Sequence, residues 1–374
     1  MRQKFAENRP EAVGIVLRDK LKKGSANAMR RREFISLSVA SALAAPAILR
    51  AQDKSFSDIT LQVNGYGGDY DRLMTEFISK PLFERTGLKV VFTPGASQAA
   101  VAKVIATPDN PPYDIILCDS PSLPELITAG VIEPITNDSV PGVSRLRPGM
   151  REFDDYGIPI AVASMVLTYN TDHVKEPLTS FADLARPVLK DRVGMFNLEN
   201  TGGLLFLIAL AEGNGGGMDN IDPGFTALAK IAPNVASTTP STVNLQQLFQ
   251  QEEIWAGGLW DGRVHALRLA GMPLELVAPT EGLYAVRSYF NPVKNSKHPE
   301  AVRAFIEQAM SGELVGEIAR FFRFGPTTDV QLPDDVASTI LTYGERAKMI
   351  KPVNWRKVAE NRASWFSRFN REMR

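Results

Sequence analysis

With 374 residues, 44% of them hydrophobic and 22% charged, the chain has room for two ordinary globular domains and the core each would need. Its 42 basic and 42 acidic residues cancel, yet 11 of the basic and 4 of the acidic ones fall within residues 1–51. The remaining body holds 31 basic against 38 acidic residues, a net charge of −7, which excludes a nucleic-acid or anionic-membrane binder.

A single cysteine, Cys118, excludes an intramolecular disulfide, and three histidines without shared spacing leave no zinc or iron–sulfur pattern. No metal ligands and no cofactor are expected. The N-terminus is more specific. Met29-Arg30-Arg31-Arg32-Glu33-Phe34-Ile35 leads into the short apolar run ISLSVASALAAPAIL and then Arg50-Ala51-Gln52. A basic start, a moderate apolar stretch and an alanine-rich exit form an export signal rather than a membrane span. The paired arginines are similar to a twin-arginine signal, which exports folded proteins. Residues 1–51 are therefore read as an extension plus signal, with cleavage after Ala51 or near Ala45-Pro46-Ala47.

From there the chain alternates strand and helix. Ile59–Val63 reads as a strand running into Asn64-Gly65-Tyr66-Gly67-Gly68-Asp69-Tyr70, followed by a helix over Asp71–Arg85 and a strand over Leu88–Phe92. A helix at Ala99–Ala106, a strand at Ile115–Leu117 ending in Cys118-Asp119-Ser120, and a helix at Leu123–Ala129 complete three β–turn–α units. Such repetition predicts a parallel sheet covered by helices. Gly157–Asn170 is a long β-type run, Ser180–Leu184 a small capped helix, and Arg192–Phe196 a strand that opens through Asn197–Gly203 into the apolar helix Leu204–Ala211. Helices follow at Gly224–Ala232 and Thr242–Gln251. Next come a strand ending in Trp260-Asp261-Gly262, a helix, a strand at Leu274–Val277, a turn at Pro279–Gly282 and one more strand. From Pro299 the chain reads as helical and amphipathic, with Trp355, Trp365 and Phe366 packing a last helix onto the body.

No nucleophile elbow and no phosphate-binding G-x-x-x-x-G-K-[ST] occurs, and Gly213–Gly217 follows a helix, so it reads as a cap. Cys118, behind Ile115–Leu117, reads as a core thiol. A buried strand that ends in Trp, Asp and Gly places an aromatic plate and a carboxylate where open α/β sheets bind ligands.

Several runs, in order, resemble the solute-binding proteins of ABC-type importers, in the branch that includes the spermidine/putrescine-binding proteins. They are Pro81–Val90 (PLFERTGLKV), Tyr113–Ile116, Ile158-Pro159 through Asn170, Ser180–Leu184 through Met195, Trp260–Gly262, Gly271–Pro273 and His298–Ala301, together spanning nearly all of residues 57–366. The resemblance implies a type II periplasmic binding protein fold, an α/β architecture of two lobes joined by crossover strands around a ligand cleft. It places the crossings near Tyr156–Ala161 and Pro279–Ser288, with residues 52–160 and 285–374 as the first lobe and 161–284 as the second. It implies a periplasmic protein, not an enzyme, working as a monomer with the permease and ATPase subunits of an importer.

Carried over by position, the implied ligand residues are Tyr66, Asp69, Tyr70, Asp119, Ser120, Glu199, Thr201, Trp260, Asp261, Tyr284 and Arg287. Two departures matter. An acidic pair expected near Glu199–Leu204 is represented by Glu199 alone, and an aspartate near the second crossing is replaced by Arg287. A guanidinium there would repel a diamine and suit a carboxylate, so a polyamine and an anionic or zwitterionic solute are both open. Two other readings stand beside these: a twin-arginine-exported enzyme with a bound cofactor, and a ferric-iron carrier.

Overall fold

Among the described residues, ten strands form one sheet: β1 (Thr60–Gly65), β2 (Lys89–Pro94), β3 (Ile115–Asp119), β4 (Ile158–Asn170), β5 (Val193–Phe196), β6 (Val235–Thr239), β7 (Ala256–Trp260), β8 (Leu274–Val277), β9 (Leu283–Pro292) and β10 (Ile350–Lys351). The structure is a computed structural model and describes residues 55–95 and 97–373. The chain divides into units 1–50 and 51–374, and the export signal expected over residues 1–51 lies outside the described residues.

The strand order is β2-β1-β3-β9-β4-β7-β5-β6, with β10 on β9 and β8 on β4. On one flank β1 pairs in parallel with both β2 and β3, as successive β–α units require. On the other, β5 lies parallel to β6 and β7. Between the flanks run the two longest strands, β4 and β9, antiparallel to each other and to their neighbours β7 and β3.

Those two strands pass from one hydrophobic core to the other. Ile158, Ile160 and Ala161 of β4 pack with Leu61, Val63, Ile115 and Phe305, whereas Met165, Val166 and Leu167 pack with Val193, Met195 and Leu259. Likewise Phe290 of β9 belongs to the first core, and Leu283, Tyr284 and Val286 to the second. The second core is built around helix Thr201–Gly213, whose residues are buried from Thr201 to Ala211, as expected of a helix apolar on every side. The second core also continues under one face of the first flank, taking in Val101, Ile116, Cys118 and Leu123, while β4 and β9, paired with each other, join the two flanks of the sheet.

Three elements differ from the sequence expectation. The helix expected over Asp71–Arg85 spans Gly68–Thr86 with a π-helical turn at Thr75–Ser79. Pro81 lacks an N–H and would crowd the Phe77 carbonyl, and the wider turn just ahead of it relieves that clash. The C-terminal third is less helical than expected. After helices Pro299–Ala309 and Glu313–Phe322 the chain is mostly irregular until Trp355–Glu372, because Pro326, Pro333 and Pro352 interrupt it.

That last helix also serves both lobes, not the first alone. It packs against Ser120–Ser122 and Leu123–Thr128, yet Arg362 donates to the Glu199 carbonyl at 2.9 Å and the Arg368 guanidinium sits 4.0 Å from the Phe225 ring. Ion pairs of Lys357 with Asp219 and of Arg368 with Asp222 add to the second attachment.

Candidate functional site: the interlobe cleft

The carboxyl ends of β1, β2, β3, β5, β6 and β7 converge on a cleft of about 1370 Å³. That is where open α/β sheets bind ligands, because chain reversals leave helix N-termini and loop side chains free there. A much smaller recess of about 90 Å³, lined by Glu133, Pro292 and Pro299, touches none of these strand ends.

From β1 the chain turns through Gly67 (φ 81°) and Gly68 (φ 59°), conformations that a side chain would strain. The Asp71 carboxylate accepts the Gly67 N–H at 3.0 Å and holds this turn. The turn sets Tyr66 and Tyr70 side by side, ring centroids 5.0 Å apart and nearly edge-on. Tyr70 then meets Phe322 at 5.3 Å, and Phe322 stacks on Phe324 at 5.5 Å. These four rings form one wall. Trp260, at the end of β7 and tilted against Phe196, lies on the cleft with Leu198 and Phe366.

Asp119, at the end of β3, is the innermost carboxylate. Its Oδ1 accepts the Tyr66 hydroxyl at 2.7 Å and the Ser288 hydroxyl at 2.8 Å. Burial raises its pKa, and those two hydrogen bonds work against the rise. Burial, then the neighbouring Asp119 charge, push the Tyr66 phenol well above its ordinary range, so Tyr66 remains a donor. The Tyr70 hydroxyl is buried beside Ser288 without a well-aligned hydrogen bond.

Of the residues expected from the sequence, Tyr66, Asp69, Tyr70, Asp119, Glu199, Thr201 and Trp260 lie on the cleft. Four do not. The Ser120 hydroxyl turns away to Glu152 at 2.7 Å and accepts the Arg287 backbone N–H at 3.0 Å. Asp261 is buried beneath the cleft, accepting the Ser164 hydroxyl at 2.6 Å and the Gly262 N–H at 2.8 Å. Gly262 is needed there because a Cβ would fall 2.1 Å from the Phe322 carbonyl oxygen. Tyr284 is fully buried and donates to Glu212 at 2.7 Å.

Arg287 is the main correction. It faces away from the cleft and forms an ion pair with Glu152, both side chains being largely enclosed. Glu152 also accepts Trp355 Nε1 at 3.2 Å and the Tyr289 hydroxyl at 2.7 Å. The strand pleat explains this: Val286 and Ser288 of β9 line the cleft, so Arg287 between them points to the opposite face.

The sequence reading missed Ser288, Phe322, Phe324, Phe366, Arg263 and Arg362, all of which line the cleft. Arg263 was detectable, since it stands in the first turn of the helix that opens directly after Trp260. The Cys118 thiol is buried, its pKa pushed well up by burial and then by Asp119, and it accepts a hydrogen bond from the Asn291 amide at 3.4 Å. It is a core residue. Among the described residues no group of three or more His, Cys, Asp or Glu side chains could hold a metal ion, and no helix is long and apolar enough to cross a membrane.

A family model described as "Bacterial extracellular solute-binding protein" matches residues 78–342, more than half of the chain. The chain belongs to the bacterial extracellular solute-binding protein family. The spermidine/putrescine-binding periplasmic protein of Escherichia coli (strain K12) is 25% identical over 319 residues, covering 80% of this chain and 89% of that protein. Among solved structures, an ABC transporter protein from Clostridium perfringens is similar with a TM-score of 0.73, 22% identity, and coverage of 84% of this chain and 100% of that one. A structure named Atu4243-GABA receptor is similar with a TM-score of 0.72, 18% identity, and coverage of 84% and 98%. The two-lobed fold is that of type II periplasmic binding proteins. Proteins of this kind bind and hand over solutes and are not enzymes, which sets aside the exported-enzyme reading.

Proposed function

We propose that this solute-binding protein captures a small organic solute in the interlobe cleft and delivers it to the permease and ATPase subunits of an ABC importer. The observation that carries this is the convergence of six strand ends on one aromatic-walled cleft of about 1370 Å³ with an inner carboxylate. Tyr66, Tyr70 and Trp260 supply apolar walls, Asp119 and Ser288 the inner polar contacts, and Asp69, Glu199 and Thr201 further polar groups on the lining. Arg287, Ser120, Asp261 and Tyr284 act on the solute only by holding this frame. The lobes take residues 52–160 and 285–354 on one side and 161–284 on the other, with the last helix clasping both. Closing the lobes around the solute expels water and strengthens each charged contact.

The periplasm is the site of action, by likeness to the E. coli relative, and the Arg31-Arg32 pair directs export through a twin-arginine signal. The protein acts as a monomer. Neither the polyamine named for that relative nor the GABA named for the structural neighbour follows from the fold, which serves both.

A thermal-shift screen of the purified protein against polyamines, amino acids, dicarboxylates and ferric citrate tests the reading. A ligand that binds the native state alone raises the midpoint, by about 2.7 kcal/mol of stabilisation at a hundredfold excess over Kd. The solute that shifts the wild type is expected to lose at least tenfold in affinity in Trp260→Ala. An unchanged affinity would remove the cleft from the binding site.

A further inference from the structure

Resting on the reading of the cleft as the solute site, we propose that the solute is a zwitterionic amino acid. Its carboxylate is held by Arg263 and its ammonium group by Asp119.

The cleft is lined by two arginines and four acidic residues. Most of them are already engaged or stand on the rim. Asp69 is paired with Arg72 at 3.0 Å, Glu125 and Glu199 are exposed, and Arg362 donates to the Glu199 carbonyl. Arg263 and Asp119 differ. Arg263 is partly buried, 5.8 Å from the Phe322 ring centroid, and makes no hydrogen bond and no ion pair among the described residues. With only the Phe322 ring face and the more distant Asp69 charge beside it, this partly buried guanidinium keeps its hydrogen-bond donors unmet, and its planar fork of five donors matches a carboxylate. Asp119 receives hydrogen bonds on Oδ1 alone, which leaves Oδ2 for a cation.

Between the two stands Tyr70, only 7% exposed, with a hydroxyl lacking a well-aligned partner. Asp119 holds the Tyr66 hydroxyl, the Tyr66 ring packs on Tyr70 and the Tyr70 ring on Phe322, over which Arg263 lies, so the two charges border one aromatic wall. A diamine would bring a second ammonium group against Arg263, and a dicarboxylate would bring a second anion against Asp119. One carboxylate and one ammonium satisfy both, with the intervening carbons against the rings of Tyr66, Tyr70 and Phe322.

Titration calorimetry of the purified protein distinguishes the possibilities. The probes are the twenty common amino acids, β-alanine, 4-aminobutyrate and 5-aminovalerate, against putrescine, spermidine, succinate and glutarate. An amino acid is expected to bind most tightly. Arg263→Gln and Asp119→Asn should each weaken it at least tenfold, the scale of losing a charged hydrogen bond, while circular dichroism stays that of the wild type. Arg263→Lys keeps the charge without the fork and should fall between. A diamine or dicarboxylate binding more tightly than every amino acid, or Arg263→Gln leaving amino acid affinity within twofold, would overturn this assignment alone. Binding of none of the probes by the wild type would overturn the assignment together with the cleft reading beneath it.

Discussion

Replacing Glu152 by alanine is expected to cost about 3–5 kcal/mol of stability, the range for breaking a buried ion pair from one side. Glu152 accepts from Arg287, Trp355, Tyr289 and Ser120. It therefore ties three elements together: the end of β3, the second crossover strand β9, and the C-terminal helix. Without the carboxylate, the Arg287 guanidinium remains enclosed and uncompensated, and three further donors lose their acceptor. Urea denaturation checks this. The midpoint should fall with an unchanged slope, since the same surface is exposed on unfolding. A loss below about 1 kcal/mol would show that these groups find other partners. The same geometry makes Arg287 a determinant of stability rather than of ligand choice.

The second large effect concerns Asp261 and pH. Burial pushes its pKa up to about 7, against hydrogen bonds from Ser164 and from the Gly262 N–H that favour the charged form. A carboxyl group with a folded pKa above its unfolded value of about 3.9 stays protonated in the native state while the unfolded chain ionises. Stability from this residue is therefore full below about pH 4 and falls as pH rises to about 7. The total is about 4 kcal/mol. Asn in its place keeps one oxygen for the Gly262 N–H and an amide that can donate to Ser164 Oγ, and it carries no charge. Asp261→Asn should therefore be more stable than the wild type at pH 7.5 by a few kcal/mol and equal to it near pH 4. Denaturation of both proteins across this range isolates the residue, because every other titrating group is common to the two. A constant difference between them at all pH values would contradict the account.

How much of this was readable beforehand depended on the physical signal. Parallel β–α repetition, the apolar helix after Asn200 and the long β-type run Gly157–Asn170 were legible because hydrophobic runs punctuated by glycine and proline report local structure directly, whereas the two-lobed arrangement came from the resemblance to solute-binding proteins alone. Trp260 was legible as a cleft residue from its place at the end of a buried strand, while Tyr66 and Asp119 were carried over by the resemblance, and all three line the cleft. The place of Arg287 was not legible from position along β9 alone, because the pleat decides which face a residue takes. Val286 and Ser288 occupy the cleft face, and a residue between them cannot share it. Asp261 was misplaced because adjacency to Trp260 does not imply a shared face once a helix begins between them. Phe322, Arg362 and Phe366 were not readable as cleft residues, since they come from chain segments distant in sequence. The C-terminal helix reaches the cleft through packing that no local pattern encodes.

Calorimetric titration of the stripped protein with the best ligand of the screen counts the solutes bound between the lobes. One site per chain is expected, with a negative heat-capacity change from burial of the aromatic walls. A loss of at least tenfold in affinity is expected in Trp260→Ala, with none in Lys348→Ala on the outer surface. More than one equivalent site, or full affinity in Trp260→Ala, would contradict binding of one solute between the lobes.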